Sequence, residues 1–65
     1  MTILLNGEEH DTNVQTVCEL LRELQVPLHG IAVAVDGNVI RKDEHESTIL
    51  NERAEIEIIR AVQGG

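Results

Sequence analysis

Few residues in this chain are equipped for covalent chemistry, and the best equipped stand at its end. Gly64-Gly65 follow directly on Glu55-Ile56-Glu57-Ile58-Ile59-Arg60-Ala61-Val62, a run that reads as a β-strand, with Gln63 between. A strand that delivers a main-chain carboxylate at Gly65 would present an ionised oxygen nucleophile at neutral pH, because an α-carboxyl titrates near ~3.3–3.7. Glycine lacks a Cβ, so Gly64 can pass a channel too narrow for other residues and adopt backbone angles closed to them. From Ala61 to Gly65 the extended chain reaches roughly 17 Å, at ~3.3–3.6 Å per residue. A Gly-Gly ending by itself reads first as a frayed terminus. The rest of the chain has to decide.

The side chains offer less. Cys18 falls in the first turn of an expected helix, where the dipole mildly favours a thiolate, but it reads as a small residue near the helix edge. His10, His29 and His45 share no metal-ligand spacing with Cys18 or with one another. Glu8-Glu9 and Asp43-Glu44 lack the spacing of an acid/base pair and read as solvated surface. No catalytic side chain, cofactor or metal site is expected.

The elements that would carry the tail are legible along the chain. Met1-Thr2-Ile3-Leu4-Leu5 is apolar and runs into Asn6-Gly7, the strongest short-range hairpin signal. A short polar strand around Glu8–Thr12 returns. Thr16-Val17-Cys18-Glu19 spells a capping box, in which the N-cap hydroxyl and the Glu carboxylate each satisfy a free amide. Behind it Val17, Leu20, Leu21 and Leu24 recur at i, i+3, i+4 and i+7, one apolar stripe. Glu19, Arg22 and Glu23 lie off the stripe and face water. Pro27 drives Val26 out of the α region, so the helix ends near Leu24 or Gln25. Gly30 opens a strand, Ile31–Val35, which Asp36-Gly37 turns back through Val39-Ile40. Residues 41–51 are polar, with Ile49-Leu50 as the expected anchor onto the core. The last strand runs from Glu55 to about Ala61. The order is ββαβ, an irregular connection, then β, with the first and last strands expected to pair in parallel.

Composition bounds the rest. Sixty-five residues make one domain, and a chain of about 60 residues buries only ≈60% of its unfolded surface. With no Phe, Trp or Tyr, the core is aliphatic and there are no aromatic platforms for stacking bases. Five Lys+Arg against twelve Asp+Glu give a net charge of −7, which repels phosphate backbones. A basic protein groove is the better partner, since complementary charge speeds encounter. Nucleic acid and membrane are not expected partners: the run Ile31–Val35 is too short for a span. Without basic residues ahead of an apolar stretch there is no signal peptide to expect, and the chain is expected to be cytoplasmic.

Alternate strand residues point to opposite faces. Ile3, Leu5, Val33, Val35, Ile56 and Ile58 are large and branched, suited to packing under the helix. The opposite set is Leu4, Ala32, Ala34, Ile59 and Ala61. A sheet with one helix leaves its second face to water and polar residues belong there, so an apolar set on that face is the candidate partner-binding patch.

Four features then converge: the length, the helix start at Thr16, Val17, Leu20 and Leu21, the Ala-Val-Ala-Val strand of Ala32–Val35, and the ending Ile-Arg-Ala-Val-Gln-Gly-Gly at Ile59–Gly65. In these the whole chain resembles the ThiS family, sulfur carriers of thiamine thiazole synthesis. The resemblance implies an α+β, ubiquitin-like β-grasp fold: a mixed sheet packed on one main helix, a domain over residues 1–62 and a flexible tail over 63–65. It implies that an ATP-dependent, E1-like adenylating enzyme converts the Gly65 carboxylate to an acyl-adenylate. Sulfur from a donor such as a cysteine desulfurase then leaves a thiocarboxylate for thiazole synthase, with Gly64 as the slender spacer. The carrier would be a protein substrate rather than an enzyme.

Two neighbouring readings share the tail. The small subunit of molybdopterin synthase has the same fold and ending but is typically longer, and a ubiquitin-like modifier would spend the activated glycine on a lysine isopeptide. A plain interaction domain with an idle tail is a third. The chain also departs from the family pattern, in which many members have Trp where His45 stands and a Gly-Asp turn where Arg53-Ala54 stand. Both departures bear on the packing and turn type of the segment before the last strand.

Overall fold

The computed structural model describes residues 1–27 and 29–60. Five strands and one helix follow in the order β1 (Thr2–Leu5), β2 (Glu8–Asp11), α1 (Val17–Leu24), β3 (Ile31–Val35), β4 (Asn38–Ile40) and β5 (Glu55–Arg60), with a 3-10 turn at Lys42–Glu44. The strands form one sheet in the order β2-β1-β5-β3-β4. β1 and β5 run parallel at its centre, with Leu4 opposite Glu55 and Leu5 opposite Ile56. The other three pairings are antiparallel. The mixed sheet on one helix is the α+β, β-grasp arrangement that the resemblance implies.

Both hairpins turn on two left-handed residues: φ is 50° and 85° at Asn6-Gly7, and 50° and 86° at Asp36-Gly37. Positive φ at both central positions is the type I′ geometry whose twist matches that of the flanking strands, and Asn, Asp and Gly tolerate it best. Each turn has a second task. The amide of Asn6 donates to the Ile56 carbonyl at 2.8 Å, and its side-chain oxygen accepts from the Ile58 amide at 2.9 Å. Asp36 holds Glu55 in the same way, through its amide at 2.7 Å and its carboxylate at 2.9 Å. Both turns therefore grip β5.

The capping box forms: the Glu19 amide donates to Thr16 Oγ1 at 3.2 Å, and the Thr16 amide to Glu19 Oε1 at 3.3 Å. At the other end Gln25 adopts αL, its amide donating to the Arg22 carbonyl and that of Val26 to Leu21, a complete Schellman pattern. Val17, Leu20 and Leu21 are fully buried against Ile3, Val33 and Ile56, with Leu50 and Ala54 closing the core.

Two expectations need correction. Of the expected anchor pair Ile49-Leu50 only Leu50 enters the core, at 4% exposure, while Ile49 stays 58% exposed. A backbone bridge between Thr16 and Ile49 is the reason: it lays the segment alongside the helix start, so successive side chains point opposite ways. Glu23, expected to face only water, accepts the Thr12 hydroxyl at 2.9 Å and approaches His10 Nε2 at 3.0 Å, tying the helix to β2.

Candidate functional site

Strand register sorts the sheet face turned away from α1. Leu4 lies opposite Glu9 on one side and Glu55 on the other, Ala32 opposite Ile59, and Ala34 between Glu57 and Val39. Ile59 is 52% exposed and Val39 70%. Ala32 is also exposed and Leu4 half-buried. The face thus carries an apolar strip, Ile59–Ala32–Val39, with Leu4 beside it and the carboxylates of Glu9, Glu55 and Glu57 around it. A hollow of about 400 Å³ at its edge is lined by Leu4, Asn6, Gly7, Glu55 and Glu57.

Four of the five residues expected in the patch therefore share this face. Ala34 belongs to it by register but is only 6% exposed, so its methyl supports the surface without offering area. Val39, which the sequence reading places only in a returning strand, is the most exposed large apolar residue among the described ones and extends the strip. Its signal was available: it neighbours Ile40, which faces the core, so parity alone puts it on the outer face. Ala61, Gly64 and Gly65 lie outside the described residues.

What positions this face is the grip on β5. The strand pairs with β1 at Glu55 and Ile56 and with β3 from Ile56 to Arg60, and it is held by Asn6 and Asp36 from both turns. The chain beyond Arg60 therefore leaves from a strand fixed at the centre of the sheet.

Other reactive groups stand apart from it. Cys18 is a free, half-buried thiol on the helix side. Among the described residues no group of three His, Cys, Asp or Glu side chains is placed to hold a metal, and no helix is long and apolar enough to cross a membrane. His45, which many members of the resembled family replace with Trp, is 8% exposed. Arg53 takes φ 64°, a conformation the glycine of the family's Gly-Asp turn would adopt without strain.

Solved structures similar to this chain include two thiamine biosynthesis proteins. The crystal structure of the thiamine biosynthesis protein ThiS from Geobacter metallireducens superposes with a TM-score of 0.86 at 23% identity, each chain covered in full. The solution structure of a thiamine biosynthesis protein from the same organism gives 0.82 at 23% identity, covering all of this chain and 88% of the other. At that identity the likeness establishes the fold. No curated protein matches the chain. The model of the ThiS family, however, matches residues 3–65, from the first strand through the Gly-Gly ending: the chain belongs to the ThiS family.

Proposed function

We propose that this protein is a sulfur carrier of thiamine biosynthesis, and that the carboxylate of Gly65 is the group that carries the sulfur. The observation that carries the reading is the family match across residues 3–65, which takes in the tail as well as the domain. In the proposed sequence a Gly65 oxygen attacks the α-phosphorus of ATP on an adenylating enzyme, and pyrophosphate leaves. The terminal sulfur of a persulfide, such as that of a cysteine desulfurase, attacks the acyl carbon and displaces AMP. A thiol then cleaves the S–S bond, which frees the thiocarboxylate for thiazole synthase. The domain supplies no acid or base to these steps; it supplies an address.

That address is the open sheet face: Leu4, Ala32, Ala34 and Ile59, continuing to Ala61, with Gly64 as the spacer between surface and reacting group. Its apolar strip suits a desolvated contact, and the carboxylates of Glu9, Glu55 and Glu57 suit a basic rim on the enzyme. Tethering sulfur to a docking domain restricts it to partners that recognise the domain, which free sulfide would not do.

Deletion of Gly65 tests the proposal. The fold is expected to keep its stability within about 0.5 kcal/mol, as for ordinary surface changes. The shortened tail would fall on the order of 3.5 Å short of the α-phosphorus, and misplacement by even ~1 Å can cost a hundredfold in rate. ATP–pyrophosphate exchange with the adenylating enzyme should vanish with the truncated chain, while the truncated chain competes with the intact one for docking. Near-normal exchange would remove Gly65 from the mechanism. Mass spectrometry of the cellular protein separates a carrier, with sulfur in place of oxygen at Gly65, from a modifier, with branched lysine adducts.

A further inference from the structure

A second surface lies on the helix side of the sheet, away from the open face. There an open cleft of about 780 Å³ runs between α1, which contributes Cys18 and Arg22, and the segment after β4, which contributes Arg41, Lys42 and His45; the carboxylates of Asp43 and Glu46 share its wall. The chain holds only five Lys and Arg residues against twelve acids, yet three of the five stand here. Arg41 is spent on Asp43, at 3.0 Å. Arg22 and Lys42 form no ion pair among the described residues. His45 is 8% exposed; its ring takes no hydrogen bond among the described residues, and its nitrogens are not sealed from solvent. Ring nitrogens that form no hydrogen bond among the described residues and stay open to solvent are available to a ligand in the cleft.

The helix terminus is not the donor. The Val17 and Cys18 amides are committed to the Thr48 and His45 carbonyls at 3.1 and 2.9 Å, and that of Glu19 to Thr16 Oγ1. Recognition therefore falls to side chains. Three cations against two carboxylates leave the wall one positive charge in excess, in a molecule that is otherwise strongly acidic, which suits a singly substituted phosphate better than a polyphosphate. The volume falls within the ~300–1,000 Å³ of small-molecule sites, well beyond what a bare oxyanion fills. The remaining wall is imidazole edge and the aliphatic stems of Arg and Lys, and guanidinium planes stack on flat rings.

We propose that this cleft binds a small phosphate monoester bearing a flat ring, its phosphate held by Arg22, Lys42 and His45 and its ring resting against the side-chain stems. The site lies on the opposite side of the sheet from the proposed docking face, so both could be occupied at once. The test is a two-dimensional amide NMR titration of the intact protein with AMP as the probe, beside adenosine and inorganic phosphate at matched ionic strength. AMP should move amides of residues 18–22 and 41–46, leave those of Ala32 and Ile59 in place, and bind about tenfold more tightly than either fragment. The double variant R22Q/K42Q, altered at two exposed positions, should keep a folded spectrum and weaken AMP by about tenfold or more. The proposal is overturned if AMP shifts match those of phosphate, fall on the open face, or persist undiminished in the double variant. Deletion of Gly65 should not affect the titration, so failure here leaves the tail chemistry untouched.

Discussion

On the helix side of the sheet Ile3, Val33 and Ile56 are sealed from water, at 0–1% exposure; on the other side Ile59 and Val39 keep 52% and 70% of theirs. Ile56 and Ile59 are the same residue type in the same strand, three positions apart and therefore on opposite faces. One is committed to the fold and the other is free of it. Apolar residues thus do two separable things in this chain, and the odd or even position within a strand decides which. Ile56→Ala should break the first role alone. Truncating a fully buried isoleucine removes its transfer energy and leaves a cavity, about 2–5 kcal/mol together. Marginal stabilities of small domains make that a large share of the total. A denaturant midpoint that hardly moves would show that the inner face is not the seat of stability.

Ile59→Asp should break the second. A half-exposed edge of the open face tolerates the charge, at a cost of about 1 kcal/mol or less in strand preference. An unpaired carboxylate pressed into the proposed interface core would go unsatisfied, with a loss of more than ~1.4 kcal/mol, tenfold in affinity for the adenylating enzyme. Calorimetry that finds unchanged binding by the folded variant would move the docking surface elsewhere.

The same division between local and distant causes explains what could be read beforehand. Asn6-Gly7, Asp36-Gly37, the Thr16–Glu19 box and the stop before Pro27 are each determined by neighbours a few residues apart, and each appears where the sequence puts it. The strand parities follow from period two and needed only the register. The segment from 41 to 54 follows different rules. Burial of His45 and Leu50 rather than Ile49 depends on backbone bonds to the helix start, from Cys18 to His45 and from Leu50 to Gln15. No local pattern encodes those. The cleft was invisible for the same reason, since Arg22 is separated from Lys42 by the two strands β3 and β4 and their connections. The grip of Asn6 and Asp36 on β5 was hidden behind their more obvious role in turning the chain.

Arg53 sharpens the comparison within that segment. Its φ of 64° strains any residue with a Cβ, by roughly 1–2 kcal/mol, and its nearest charged partner, Glu9, stands off at 3.9 Å between exposed side chains. Such a pair contributes little. Arg53→Gly relieves the strain but frees the unfolded chain, so a net gain of about 0.5 kcal/mol is expected. A stability loss on thermal unfolding would mean that the guanidinium contributes more than its geometry shows.

The smallest expected effect concerns the polar tie between the hairpin and the helix at Glu23. Thr12 is 6% exposed; its hydroxyl donates to both Glu23 oxygens, at 2.9 and 3.0 Å, and accepts the Val14 amide at 3.2 Å. The hydrogen bonds from His10 and then Thr12 hold the Glu23 carboxyl below its ordinary value, against the opposing effect of desolvation. The folded chain therefore keeps Glu23 ionised to lower pH than the unfolded chain does. Its stabilising contribution is complete above the ordinary glutamate value of about 4.3 and is lost as pH falls through the lower, folded value. Glu23→Gln keeps one acceptor for Thr12 but has no charge to lose. The variant should be slightly less stable than the parent at neutral pH, and the gap should close on acidification, because the other carboxylates are common to both chains. Denaturant midpoints of the two proteins, followed from pH ~6 down to ~3, give the comparison directly. A gap that stays constant over that range would mean that the ionised carboxylate has no special tie to His10 and Thr12, and that the helix is held to the hairpin by Val17, Leu20 and Leu21 alone.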